Sequence, residues 1–106
     1  MSGIVIYSIG VEHPISPAER LPPLPEIPRG SLVVIEGRAP IWRYGVAFHQ
    51  LHGSPAGAIA VFDPRLGAVI VASHHPQWIE GQVIDIDVLS GKIQLPALNP
   101  QEPSEN

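Results

Sequence analysis

The chain has no cysteine, which excludes a disulfide framework and any thiolate-ligated metal site and makes the cytoplasm the expected compartment. Basic residues are also scarce, with six lysines and arginines against ten acidic residues and a net charge of -4. That balance argues against broad affinity for long DNA or RNA and against attachment to an anionic membrane, while a small, specifically held anion stays possible. No apolar run approaches the roughly 18 residues that a membrane span needs, and "MSGIVIYSIG" has neither the basic start nor the long apolar stretch of a leader. The aromatic residues are too few and too scattered for a base-stacking platform. No internal repeat is visible. At 106 residues the chain reads as one domain over residues 1–95, followed by a flexible tail over 96–106 that has too little apolar content to fold alone.

Proline is what the chain has in quantity, and it crowds "VEHPISPAERLPPLPEIPRG", residues 11–30. Before it, "GIVIYSI" (3–9) reads as a strand. Inside it, Ser16 followed by Pro17, Ala18 and Glu19 predicts a short helix, ended by Pro22 and Pro23 and followed by an extended connector. "SLVVIEG" (31–37) is apolar on both alternating faces and predicts a central parallel strand. A helix is predicted from Pro40 through "PIWRYGVAFHQLH", with Ile41, Tyr44, Phe48 and Leu51 on one apolar stripe and Arg43 and Gln50 on the far side. Gly53 reads as its C′ residue, and Pro55 cannot continue it.

"GAIAVFDPRLGAVIVASHH" predicts a hairpin in which Pro64 presets the turn and Gly67 takes a left-handed position closing a bulged tip. "QVIDIDV" (82–88) predicts a last strand with Ile84, Ile86 and Val88 on one face. The fold class is therefore α/β: a single small domain whose sheet is parallel at its centre, carries an antiparallel hairpin and has helices packed on it.

Three places can carry chemistry. Between Gly37 and Pro40 a strand runs directly into a helix, so a phosphate can rest on the helix N-terminus beside Arg38; the plain alternative is that Gly37 only makes a tight turn. His49 and His52, three apart on the helix, and His74 with His75 after the hairpin offer imidazoles that, with a carboxylate, suit manganese, iron, cobalt or zinc. Each can equally be a packed histidine with one hydrogen bond. Asp63 and Arg65 share the hairpin tip, where Asp63 either caps the turn or holds an ion or takes a proton, and where Arg65 can neutralise developing negative charge. Asp85, Asp87 and His13 receive no role.

The ordered set "GRAPIWRYGVAFHQLHGSP", "VFDPRLGAVIVASH" and "EGQVIDIDV" resembles the small CRISPR-associated ring nucleases of type III systems, the Csx-three or Crn-three group, over residues 35–88. The resemblance implies a distant CARF-like fold and homodimers that stack to tetramers around the ligand. It also implies manganese-dependent cleavage of cyclic tetra-adenylate, a second messenger, which switches off antiviral signalling. By the same resemblance His52, Asp63 and Arg65 are the catalytic candidates. Gly37, Arg38 and His49 are the ligand-binding candidates, and Asp63, His52 and His74 are the metal-binding ones. In a stacked assembly His52 and Asp63 can belong to different dimers. Two readings stand beside this one: a non-catalytic sensor of a cyclic oligoadenylate or short RNA, and a metal-dependent RNA 3′-end exonuclease.

Overall fold

A computed structural model describes residues 3–93. The elements follow in the order β1 (Ile4–Ser8), β2 (Leu32–Glu36), α1 (Ile41–His52), β3 (Ala58–Asp63), β4 (Gly67–Ser73), β5 (Val83–Ile84), β6 (Ile86–Asp87) and β7 (Lys92–Ile93). One mixed sheet has the strand order β1-β2-β3-β4-β5, parallel from β1 to β3 and antiparallel from β3 to β5, while β6 and β7 form a separate two-stranded ribbon. The fold class is thus the one that the strand patterns predict, as one small domain with one helix on its sheet.

Strand β2 is buried on both faces because both faces are covered. Val33 and Ile35 pack with Tyr7, Ile9 and Ile59 beneath Ala47 and Leu51 of α1. Leu32 and Val34 pack on the opposite side with Ala60, Ile70, Ile84, Ile86 and Trp78. The β1–β2 and β2–β3 connections both move to the next strand in the same direction, so right-handed crossovers place them on one face. Leu21 and Ile27 of the proline-rich connector accordingly share the α1 layer.

Four expectations are corrected. Ser16 caps a single turn, its Oγ accepting from Ala18 N at 3.1 Å and its carbonyl from Glu19 N at 2.9 Å, and no helix follows. Four residues cannot repay helix nucleation before Pro22 and Pro23. The helical stripe is rotated: Arg43 is buried, 5% exposed, whereas Ile41 is 87% exposed. Arg43 is drawn inward because its Nε donates to the Ile9 carbonyl at 2.9 Å, at the end of β1. Gly53 has φ −97°, not a left-handed angle; Ser54 satisfies the end of α1 instead, its N–H and Oγ both donating to Leu51 O. The last predicted strand is split at Asp85 into β5 and β6, so that Ile86 and Val88 turn onto the core beneath β1. The alternation itself holds, with Ile84 and Ile86 buried and Val83 and Asp85 exposed.

The hairpin forms as expected at its tip, where Asp63 pairs with Gly67 around Pro64, Arg65 and Leu66. Its bulge lies further back, between Ile59 and Ala60. Gly67 has φ +117°, and a Cβ there would stand 2.7 Å from the Ile84 carbonyl oxygen, so conformation and space both require glycine. The predicted tail, 96–106, lies outside the described residues.

Candidate functional site

The candidate residues fall into two groups at opposite ends of α1, which its 12 residues separate by about 17 Å at 1.5 Å per residue. At the N-terminal end, Gly37, Arg38 and Asp63 line a groove of about 740 Å³ together with Ile41, Tyr44, Gly45, Phe48 and Val71. At the C-terminal end, His49, His52 and His74 line a shallow hollow with Leu24 and Gln50.

The groove sits at the carboxyl edge of the parallel strands, where an α/β sheet presents its ligand crevice. Gly37 has φ +126°, and a Cβ would come within 2.7 Å of Gly10 Cα, so two backbone segments cross there at a distance only glycine permits. The crossing is pinned by Ile9 N donating to Glu36 O and Val11 N donating to Arg38 O, both at 2.9 Å. The Tyr44 hydroxyl donates to the Gly37 carbonyl at 2.5 Å. Burial pushes the Tyr44 hydroxyl pKa up, and the nearby Glu36 carboxylate adds to the shift. The tight-turn reading of Gly37 therefore has a complete physical account. Arg38 is exposed, and its guanidinium has no ion-pair partner among the described residues. Pro40 is the N-cap and supplies no side-chain acceptor, and no acidic residue occupies the first turn of α1. The donors of that turn, together with Arg38, give this end of the groove a positive character.

Asp63 Oδ1 accepts from Arg65 N at 2.7 Å and from Leu66 N at 3.2 Å, which shapes the hairpin tip. The Arg65 side chain is 88% exposed and its Nε lies 3.8 Å from the same oxygen. A pair so exposed holds Arg65 only loosely, leaving its guanidinium able to turn toward an incoming anion.

At the other end, the His52 ring is stacked on His74 at 5.7 Å between centroids, 18° from parallel, and Phe48 lies 5.4 Å from it on a tilted approach. Phe48 is four residues before His52, so the helix itself delivers this contact. His74 is held by its backbone N–H, which donates to Gly57 O at 2.8 Å. His75 is instead used locally, Nδ1 accepting from Gln77 N at 3.1 Å.

The structure thus places His49, His52 and His74 on one hollow and Asp63 and Arg38 on one groove, but does not bring His52 to Asp63. Among the described residues no three His, Asp or Glu side chains gather as metal ligands. The three metal candidates are divided between the ends of α1, with His52 and His74 at the histidine hollow and Asp63 at the groove, and imidazole and carboxylate are suitable donors for manganese. Sequence reasoning missed Arg43 as a buried group, Leu24 as a wall of the histidine hollow and Phe48 as the neighbour of His52. Only the last was readable, from its i, i+4 spacing.

No helix among the described residues is long and apolar enough to cross a membrane. A family model described as CRISPR-associated protein (Cas_csx3) matches residues 8–85, which takes in every candidate residue and the proline-rich connector. An uncharacterized protein of Aquifex aeolicus (strain VF5) is 51% identical over 55 residues, 51% of this chain and 48% of that protein. The matched region is therefore about half the length of that relative.

Proposed function

This chain belongs to the Cas_csx3 family of CRISPR-associated proteins, and from that premise we propose that it is a phosphodiesterase that opens cyclic tetra-adenylate and so ends type III antiviral signalling in the cytoplasm. In this reading it works as a homodimer that stacks on a second dimer around the ring. The observation that carries it is the division of the ordered motif set between the two ends of one helix. A ring of four phosphates gripped from two sides by symmetric copies lets the histidine end of one chain face the Asp63–Arg65 end of another.

The chemistry needs positioning and charge neutralisation more than covalent help. A ribose 2′-oxygen bonds to the adjacent phosphorus as the bond to the 5′-oxygen breaks. His52 accepts the hydroxyl proton, water protonates the departing 5′-oxygen, and the product carries a 2′,3′-cyclic phosphate. Arg65, with an 88% exposed side chain, offsets the charge that gathers on the phosphoryl oxygens. Asp63 has Oδ2 free of the hairpin hydrogen bonds and orients the attacking hydroxyl. Manganese dependence belongs to the proposal only as a property of assembled chains, and no step here runs through the ion.

The test is incubation of the purified chain with cyclic tetra-adenylate, with and without manganese, with products resolved by chromatography. Loss of the ring, slowed on the order of 100-fold or more by His52→Ala, is the expected outcome. A ring that stays intact while co-eluting with the protein would establish the sensor reading instead. That reading is favoured by one observation, that Asp63 Oδ1 is already engaged by its own turn.

A further inference from the structure

The histidine hollow at the C-terminal end of α1 has one wall that comes from neither the helix nor the hairpin. Prolines at 22, 23, 25 and 28 fix their own φ and press the residues before them into extended backbone, and residues 20–28 form neither helix, strand nor turn. At three residues per polyproline turn, Leu21, Leu24 and Ile27 fall on one side of the connector. Leu21 and Ile27 pack into the core layer of α1. Leu24, held between these two anchors, belongs to neither core cluster; it is 39% exposed and borders the hollow instead.

The floor of the hollow is aromatic although tryptophan and tyrosine take no part in it. His52 and His74 lie nearly parallel, and Phe48 flanks His52. Both imidazoles are exposed, and both are placed by the backbone, His52 by the last turn of α1 and His74 by its N–H bond to Gly57 O. Flat rings presented to solvent in this way form a platform on which a nucleobase stacks, a task that histidine shares with phenylalanine, tyrosine and tryptophan. Stacking occupies an imidazole face and leaves the ring nitrogens at its edge, so it is compatible with proton transfer by His52.

Gln50 is a second observation. It lines the same hollow, and its side-chain amide makes no hydrogen bond among the described residues. A primary amide sets an acceptor beside a donor, the complement of adenine, whose 6-amino group donates next to the accepting N7. Guanine presents two acceptors there, O6 and N7, and leaves the amide oxygen unpaired. No carboxylate lines the hollow, so an anionic nucleotide meets no like charge at its walls. Its volume, about 860 Å³, falls within the roughly 300–1,000 Å³ of small-ligand sites.

We infer that this hollow is an adenine pocket, with the His52–His74 pair as its stacking floor, Leu24 as an apolar wall and Gln50 as the reader of the base edge. The inference takes its ligand from the ring-cleavage reading and deepens it, since it says which end of α1 receives a base of the ring and which residues select adenine.

Histidine ring-proton NMR of the full chain at constant pH tests it, with adenosine 5′-monophosphate as the probe and guanosine 5′-monophosphate and ribose 5-phosphate beside it. The stacked base is expected to move the His52 and His74 ring signals upfield through its ring current, while ribose 5-phosphate leaves them in place. Gln50→Ala should keep the upfield shift but lose an adenine-over-guanine preference of about 5-fold or more. Leu24→Ala should weaken adenosine monophosphate binding by about 5-fold or more while leaving the ring signals of the free protein unmoved, which a purely structural role would disturb. Silent histidine rings, equal shifts with ribose 5-phosphate, no adenine preference, or one that survives Gln50→Ala would overturn the inference. Ring cleavage by the same samples is scored separately. Histidines that respond while cyclic tetra-adenylate stays whole would sink the nuclease and keep the pocket, and cleavage by a protein whose histidines stay silent would do the reverse.

Discussion

Arg43 carries a full positive charge at a position that is 5% exposed, and its Nη1 has no hydrogen-bond partner among the described residues. A buried guanidinium held by one carbonyl retains most of its desolvation penalty. Arg43→Leu removes that penalty but leaves the Ile9 carbonyl unpaired, so urea unfolding is expected to move by no more than about 1 kcal/mol in either direction. Arg43→Ala leaves a void as well as an unpaired Ile9 carbonyl, and a loss of about 2 kcal/mol is expected. Asp63 allows its two possible roles to be separated. Asp63→Asn keeps an Oδ1 acceptor for Arg65 N and Leu66 N, so unfolding should move by less than about 0.5 kcal/mol while ring cleavage falls steeply. Equal activity in Asp63→Asn and wild type would assign this residue to the turn alone. Gly37→Ala meets both the φ penalty and the Gly10 backbone, a cost of about 2 kcal/mol or more.

At the scale of elements, α1 is held by one face and left open on the other. Its inner stripe, Arg43, Ala47 and Leu51, holds it to the sheet, and its outer flank stays open at Gly45. Gly45→Ala is expected to raise the stability of the monomer by about 1 kcal/mol through helix propensity. A Cβ there would meet nothing within 4 Å, so urea unfolding should show the gain without a packing cost. The connector shows a different economy. It forms no helix of its own, yet Leu21 and Ile27 reach the core, and the Tyr7 hydroxyl fastens it by donating to the Pro22 carbonyl at 2.5 Å. Prolines lower the entropy of the unfolded chain, so a segment with little regular hydrogen bonding can still be held in one path.

For the molecule as a whole, two phenols couple stability to alkaline pH. Burial raises the Tyr7 and Tyr44 pKa values above the ordinary 10.0, with Arg43 partly opposing the shift at Tyr7 and Glu36 adding to it at Tyr44. A raised folded-state pKa means that the native state holds its proton after the unfolded chain has released it. The contribution of these phenols is thus fully present below about pH 10 and is lost as pH rises through the folded-state values. Urea midpoints should be insensitive to these groups up to that pH and fall above it, with a shallower fall in Tyr44→Phe. The proposed sharing of the site between chains has its own signature. A mixture of His52→Ala and Asp63→Asn proteins should cleave the ring faster than either alone, because some paired sites then contain both wild-type residues. A mixture no faster than its better component would mean that one chain brings His52 and Asp63 together itself.

Much of this was readable along the chain. Alternation and β-branching marked β1 to β4, two-faced apolarity marked β2 as central, and Asp-Pro-Arg-Leu-Gly marked the hairpin tip, because each signal acts over a few residues. The motif set and its family resemblance were legible for the same reason. Three features depended on contacts between distant segments. Arg43 turned inward toward a carbonyl 34 residues away, which helical periodicity cannot register. Gly37 proved to be fixed by Gly10, a crossing that no local pattern announces. The histidines and Asp63 were separated by the length of a helix, although only 11 positions divide His52 from Asp63 along the chain. Local propensity and spacing decided which elements form and which residue types are present, since those forces are short-ranged. Packing decided where each side chain points and which candidates share a surface, since that depends on which faces the sheet leaves to be covered.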